Sequence, residues 1–451
     1  MPQTPSSDHR WLWPCILCLT LLQIYTAATL GLAEDEAYYW CWAQNLDWGY
    51  FDHPPMVAYF IAAGTTLLGD TELGVRIAQI LLGVPMLWMC YHIAGRSLLA
   101  VCLVGTLPIY MLGGVIATPD APLLFMWFLG LWATHRQNWI LLGVAAGLAM
   151  LSKYTGALLF PIMLIAQPQA LKTPKLYLGL LLAVLIYSPN IYWNLSHDQI
   201  SWQFQLHHIQ GDPRRLDFFG AQFGLAGPLS FALLLAWFIK GPQTPLRNIG
   251  LMSSIPLLGI AVYAGGEANW AAPAYIGALL ALSESSGRWE RLAWTSVGIN
   301  FFLCLLVLVH AQFPLLYHPK DPLHRLNGGQ TLGESIAAWG ETSVWTTRYQ
   351  EAAWIRFYGK VPAFVLPEQG RLNQFEFWSS QIDDRGLFVR PFRISPHVEI
   401  EDYGYEADNF GRIVAFAQGD AVTRFHQIHA WQVYPFALTS EKSQSDKSVV
   451  E

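Results

Sequence analysis

Eleven stretches of the chain contain no Asp, Glu, Lys or Arg: 11–33, 77–95, 97–119, 121–135, 137–152, 154–171, 176–197, 218–239, 248–266, 268–283 and 292–319. At 1.5 Å of rise per residue, a helix needs about 20 apolar residues to cross the hydrocarbon of a bilayer. The runs at 121–135, 137–152 and 268–283 are short for that, so these helices must borrow polar ends or lie partly inside protein. The stretch 55–69, PMVAYFIAAGTTLLG, is apolar but short and begins at Pro54-Pro55, which reads as an interfacial helix. The pattern therefore predicts a polytopic α-helical membrane protein with about 11 transmembrane helices.

Beyond about Tyr317 the period changes. SVWTTR (343–348), PAFVLP (362–367), RGLFVR (385–390) and GRIVAFAQ (411–418) have strand character, and YQEAAWIRFYG (349–359) spaces its apolar residues as a helix does. Composition sharpens the division. Hydrophobic residues are 53% and charged residues 13% of the chain, against about 25% charged in ordinary soluble domains. The charge is uneven: 28 charged residues fall in 1–317 and 30 in 318–451. The expected domains are a membrane domain at 1–316, a soluble α/β or α+β domain at 317–438 and a disordered tail at 439–451.

The six cysteines lie in the apolar part with no CxxC pair and no zinc spacing, and read as buried thiols. A net charge of −6 without a basic stripe argues against nucleic acid as a partner. The first apolar run follows Arg10, contains Pro14 and shows no small-residue cleavage site, so it reads as an uncleaved first helix.

Every second connection is basic, with Arg10, Arg96, Arg136, Lys172 and Lys175, Lys240 and Arg247, Arg288 and Arg291, while the intervening ones hold four basic residues against twelve acidic. Basic loops face the cytoplasm. The expected topology is a multi-pass bacterial inner-membrane protein with its N-terminus cytoplasmic and its C-terminal domain periplasmic. The outer face then gathers chemistry-bearing residues, with loops 34–76 and 194–218 carrying most of them. Glu34, Asp35 and Glu36 end the first run. Asp120 sits between Pro119 and Pro122, and Lys153 lies in LSKYTG. His207, His208, Arg214 and Arg215 lie in the long loop.

Each of these has a plainer reading. The acidic triplet can be residues excluded from the inner leaflet, Asp120 a helix N-cap, Lys153 a snorkelling or paired lysine, and Arg214-Arg215 the flank of a turn. Together, carboxylates and cations at headgroup level suit a lipid-phosphate substrate. Displacing a sugar from that phosphate needs a base for the attacking hydroxyl and cations for the departing charge.

The pieces DEAYYWCWAQNLDWGYFDHPP, TPDAPLLFMW, LSKYTG, SPNIYWNLSHDQISWQFQLHH and NWAAPAY resemble, in this order, the bacterial members of glycosyltransferase family 39. That family comprises protein O-mannosyltransferases and lipid A aminoarabinose transferases with the GT-C membrane fold. DPLHRLNG and RYQEAAWIRFYG extend the resemblance into the tail. The resemblance implies a polyprenyl-phosphate sugar donor and inverting transfer to an acceptor lipid or protein, with Asp35 of the Asp35-Glu36 pair as general base. It implies donor-phosphate contacts at Lys153 and Tyr154. His53, His207 and His208 fall in matching pieces as further site candidates, and Glu36 and Asp120 as supporting acids. No cofactor follows firmly; Asp35, Asp120 and the histidines could ligate a divalent metal, though no metal-ligand spacing is present. The rival reading is a transporter or flippase of a lipid-linked anion, which predicts charges at mid-span and two similar halves; a scaffold is the weaker rival.

Overall fold

The computed structural model describes residues 9–209, 215–241, 267–313, 328–340, 343–366, 371–378, 385–391, 405–407, 412–415 and 430–438, with a few isolated positions between them. The chain divides into two compact units: Met1–Thr29 with Leu46–Leu308, and Leu30–Asn45 with Val309–Glu451. The short segment carrying the acidic triplet thus belongs to the C-terminal unit.

In chain order the helices begin with α1 (His9–Thr29), α2 (Glu34–Ala43, in the C-terminal unit), α3 (Met56–Leu68) and α4 (Glu72–Ile93). They continue with α5 (Leu98–Gly105), α6 (Pro108–Met111), α7 (Asp120–His135), α8 (Trp139–Ser152), α9 (Leu159–Ala166) and α10 (Pro174–Ser196). After these come α11 (Ile200–Ile209), α12 (Arg215–Ala226), α13 (Pro228–Lys240), α14 (Ala272–Leu282) and α15 (Arg288–Gln312).

Among the described residues, α1, α4, α10 and α15 are long and apolar enough to cross a membrane, and α12 with α13 would make a fifth span bent by 102°. The expected run at 97–119 is instead divided into α5 and α6, because Pro108 cannot donate to the preceding turn and starts a new helix. The run at 154–171 opens with a 3-10 segment, Tyr154–Leu158, before the eight residues of α9. The stretch expected at the interface is α3, of 13 residues. The run at 248–266 lies outside the described residues.

Two close approaches fix this unit. A Cβ at Gly143 would meet the Gly179 carbonyl oxygen, and one at Gly147 would meet Ala183 and Ile186, so α8 and α10 pack backbone to backbone. Small residues four apart allow this contact, which stands in for hydrophobic driving force between lipid-embedded helices. At the α12–α13 bend Gly227 has φ +77°, and the Asn300 side chain lies where its Cβ would be. Asn300 Nδ2 donates to Ser230 Oγ at 2.9 Å beneath that bend, with both residues buried.

The C-terminal unit adds α16 (Gly329–Ala337), α17 (Tyr349–Trp354), which continues as one π-helical turn at Ile355–Gly359, and α18 (Phe375–Trp378). Its strands are β1 (Val344–Thr346), β2 (Ala363–Val365), β3 (Arg385–Pro391), β4 (Tyr405–Ala407), β5 (Arg412–Ala415) and β6 (Ala430–Leu438). They form one sheet in the order β2-β1-β3-β6-β4, with β5 also pairing β6. β1 runs parallel to β2 and β3, while β6 is antiparallel to its neighbours. The crossover between β1 and β2 is α17 and its π turn, as parallel pairing requires. Strands β1, β2, β3 and β5 occur where strand character was read. β6 escaped that reading because Pro435 lies inside it, opposite Leu387, and a proline demotes a strand signal.

Candidate functional site

The acidic triplet occupies the first turn of α2, where carboxylates suit the positive end of a helix. Its three members do different things. Glu36 is buried, and its Oε2 accepts from the Ala33 N–H at 2.9 Å, closing the helix start as the third residue of a capping box does. Asp35 is half-buried, and its Oδ1 accepts a hydrogen bond from the Tyr349 hydroxyl at 2.9 Å. Among the described residues, its Oδ2 accepts none. Burial, and then the charge of Asp35, push the Tyr349 phenol well above its ordinary pKa. Tyr349 therefore stays protonated and donating at neutral pH.

The rest of the unit holds α2 from several sides. The Trp354 indole donates to Leu32 O at 3.1 Å, and the Tyr358 hydroxyl accepts from Leu32 N at 2.8 Å. The Tyr38 hydroxyl accepts from Gln374 N at 2.6 Å. Tyr38 packs on the Tyr349 ring at 4.5 Å between centroids, and the Arg371 guanidinium lies 5.4 Å from that ring. Trp40 meets Phe357 edge-on at 5.1 Å.

In the other unit, Asp120 is the first residue of α7 and caps nothing. Its two oxygens are both engaged: Oδ1 with Lys153 Nζ at 2.7 Å and Oδ2 with Asn269 Nδ2 at 2.6 Å. Lys153 ends α8 in an extended conformation and is buried. Asn269 is brought to Asp120 by a short 3-10 segment, Ala268–Ala271, which is itself held by buried polar groups. Gln222 Nε2 donates to Ala268 O at 3.2 Å, Tyr275 donates to Gln222 Oε1, and the Tyr110 hydroxyl donates to Ala272 O at 2.8 Å.

Tyr154 does not join the pair. Its hydroxyl shares a hydrogen bond with Ser201 Oγ at 2.6 Å and accepts from Asn194 Nδ2 at 3.4 Å. The loop 46–53 is anchored through Asp47. Its Oδ2 takes the Trp193 indole N–H at 2.8 Å, and its Oδ1 takes the Trp48 N–H at 2.7 Å. Its carbonyl takes the Tyr59 hydroxyl at 2.8 Å. His53 is half-buried, and its carbonyl closes the turn from Tyr50 N at 3.2 Å.

His207 is exposed on α11, with Nδ1 2.7 Å from Gln203 O. His208 lies in the same helix, and Arg215 begins α12; their side chains are outside what is described. Arg214 lies outside the described residues altogether. Among the described residues, no three His, Cys, Asp or Glu side chains gather as a metal would require.

Sequence reasoning assigned nothing to Tyr349, Asn269 or Asp47. Each was in plain view inside a motif: Tyr349 in RYQEAAWIRFYG, Asn269 in NWAAPAY and Asp47 in NLDWGYFDHPP.

Residues 52–193 match the family model described as dolichyl-phosphate-mannose-protein mannosyltransferase. Over 324 residues the chain is 31% identical to a lipid A galacturonosyltransferase of Rhizobium johnstonii, covering 62% of this chain and 66% of that protein. It is 27% identical to an undecaprenyl phosphate-α-4-amino-4-deoxy-L-arabinose arabinosyl transferase of Pseudomonas fluorescens, covering 70% of this chain and 63% of the relative. The chain thus spans less than two thirds of the length of these curated relatives. Its fold matches that of ArnT from Cupriavidus metallidurans, solved in the apo state and bound to undecaprenyl phosphate. Each match has a TM-score of 0.65 at 14% identity, over 95% of this chain and 98% of that one. Motifs and sequence relatives make the chain similar to membrane glycosyltransferases of the family-39 type, and the solved structure shows that it shares their GT-C fold.

Proposed function

We propose that this enzyme moves a sugar from a polyprenyl-phosphate donor to a hydroxyl of an envelope acceptor, lipid A before other glycolipids or proteins. Two kinds of relative support that reading, since one is named for lipid A and the other for an undecaprenyl-phosphate sugar. The reaction is a single inverting displacement. Asp35 removes the proton from the acceptor hydroxyl, the oxygen attacks the anomeric carbon, and the phosphate leaves with the bonding electrons from the opposite face.

The observation that carries the base role is the state of Asp35, set beside three other carboxylates. Glu36 serves its helix start, and Asp47 and Asp120 have both oxygens engaged. Asp35 has one oxygen held by a phenol and the other left to accept a proton. A base must lie within hydrogen-bond reach of the proton it removes, and Asp35 Oδ2 accepts no hydrogen bond among the described residues.

The cations belong to the same reading. Lys153 is balanced by Asp120, so a donor phosphate contacting Nζ shares it with that carboxylate. Tyr154 is assigned to the donor phosphate beside it, and Arg214 and Arg215 form the clamp for the departing charge. The chemistry takes place on the periplasmic face, with the N-terminus cytoplasmic and the C-terminal unit periplasmic.

Transfer is measured with radiolabelled donors, undecaprenyl phosphate-4-amino-4-deoxy-L-arabinose and a polyprenyl-phosphate galacturonic acid, onto lipid A, comparing wild type with Asp35→Asn. The amide keeps the shape and cannot take the proton, so the rate should fall by roughly 10²–10⁴. Wild-type transfer by Asp35→Asn, in protein that melts normally, would remove Asp35 from the mechanism.

A further inference from the structure

We propose that Tyr349 is a positioning residue for Asp35, which makes the C-terminal unit a working part of the transferase. The inference rests on the reading of Asp35 as the base and adds a role for a residue 314 positions away in sequence.

Asp35 stands in the first turn of a short helix, and a half-exposed carboxylate there can rotate about χ1 and χ2. One hydrogen bond removes that freedom, from the Tyr349 hydroxyl to Oδ1 at 2.9 Å. With Oδ1 fixed, the direction in which Oδ2 presents its lone pairs is fixed too. Rate depends steeply on such geometry, because a base must meet its proton at hydrogen-bond distance and in line.

The phenol is itself held rigidly. Tyr349 is buried, its ring lies against Tyr38, and Arg371 covers it from above the ring plane. Arg348, just before α17, and Glu351 within it form an ion pair 3.6 Å apart, and Glu34 contributes charge from α2. A phenylalanine would keep every one of the ring contacts.

The hydroxyl is not needed to hold α2 in place. The helix is already tied by Trp354 and Tyr358 to Leu32, by Gln374 to Tyr38, and by Phe357 against Trp40. What the hydroxyl alone supplies is the orientation of one carboxylate.

The test uses the full chain with Tyr349→Phe, Asp35→Asn and wild type assayed side by side with the two donors named above. Tyr349→Phe should lower kcat by about tenfold or more, the scale of one hydrogen bond to a charged group. The KM values for donor and acceptor should stay within about twofold, and the melting temperature should be unchanged. An unchanged kcat overturns the proposal, and so does a parallel loss of kcat, KM and thermal stability, which would mean a purely structural contact. If Asp35→Asn transfers normally, it is the base assignment that fails, and Tyr349 loses its role with it. A cryo-EM structure of Tyr349→Phe gives a reading independent of turnover. The Asp35 carboxylate should leave its wild-type rotamer, and an unmoved carboxylate refutes the positioning role.

Discussion

Two aspartates, one in each unit, answer the same question in opposite ways. Asp120 has an ammonium on one oxygen and an amide on the other, so its charge is spent on structure. Asp35 has a neutral phenol on one oxygen and, among the described residues, no hydrogen bond at the other. Asp120 is engaged through both oxygens by a cation and an amide, whereas the phenol orients Asp35 through one oxygen alone. Both residues stand in the first turn of a helix, so helix position does not separate them. Their partners do.

The sharpest way to break this comparison within the membrane unit is to remove Asp120. Asp120→Ala leaves Lys153 charged, buried and without its partner, which costs about 3–5 kcal/mol when one member of a buried pair is lost. The melting temperature of the purified protein should drop by many degrees. Adding Lys153→Met should recover most of that loss, because an apolar side chain of similar size has no charge to desolvate. If Asp120→Ala melts like wild type, the pair is not a structural element. If the double variant is stable and still transfers sugar, Lys153 is not a phosphate contact either.

Asn269→Ala is a smaller perturbation of the same cluster. It deletes one hydrogen bond, at 2.6 Å to Asp120 Oδ2, and leaves the ion pair intact. The expected cost is about 1–3 kcal/mol, that of an acceptor left unsatisfied in a mostly buried place. Differential scanning fluorimetry is sufficient to read it. A loss as large as that of Asp120→Ala would mean that Asn269, rather than Lys153, is the partner that matters.

Much of this was legible beforehand and some of it was not, for definable reasons. The long apolar runs at 11–33 and 176–197 correspond to α1 and α10, because long uninterrupted apolar sequence has few alternatives to a helix. Periodicity in the tail located β1 and β2 and the helix between them. Charge-free spacing could not reveal that Pro108 divides the run at 97–119, because a count of charges is blind to backbone hydrogen bonding. Asp35 could be named as the candidate base because Asp35-Glu36, at the end of a span, resembles the family's Asp-Glu motif. Tyr349 could not, because a tertiary hydrogen bond between residues 35 and 349 leaves no local pattern on either. A paired lysine was one of two readings open for Lys153, and the 2.7 Å between its Nζ and Asp120 Oδ1 favours that pairing.

The mildest test stays within the acidic triplet, where two adjacent carboxylates carry different work. Glu36 accepts the Ala33 N–H through Oε2, a task that an amide oxygen performs nearly as well. Glu36→Gln should therefore shift stability by less than about 1 kcal/mol, since the cap is retained with a neutral acceptor. Transfer should continue at close to the wild-type rate, where Asp35→Asn, one residue earlier and of the same chemical kind, should lower it by roughly 10²–10⁴. The two amide substitutions differ only in which carboxylate loses its charge. A collapse of transfer in a well-folded Glu36→Gln enzyme would show that the triplet acts as a unit, and the division between a capping acid and a catalytic one would have to be abandoned.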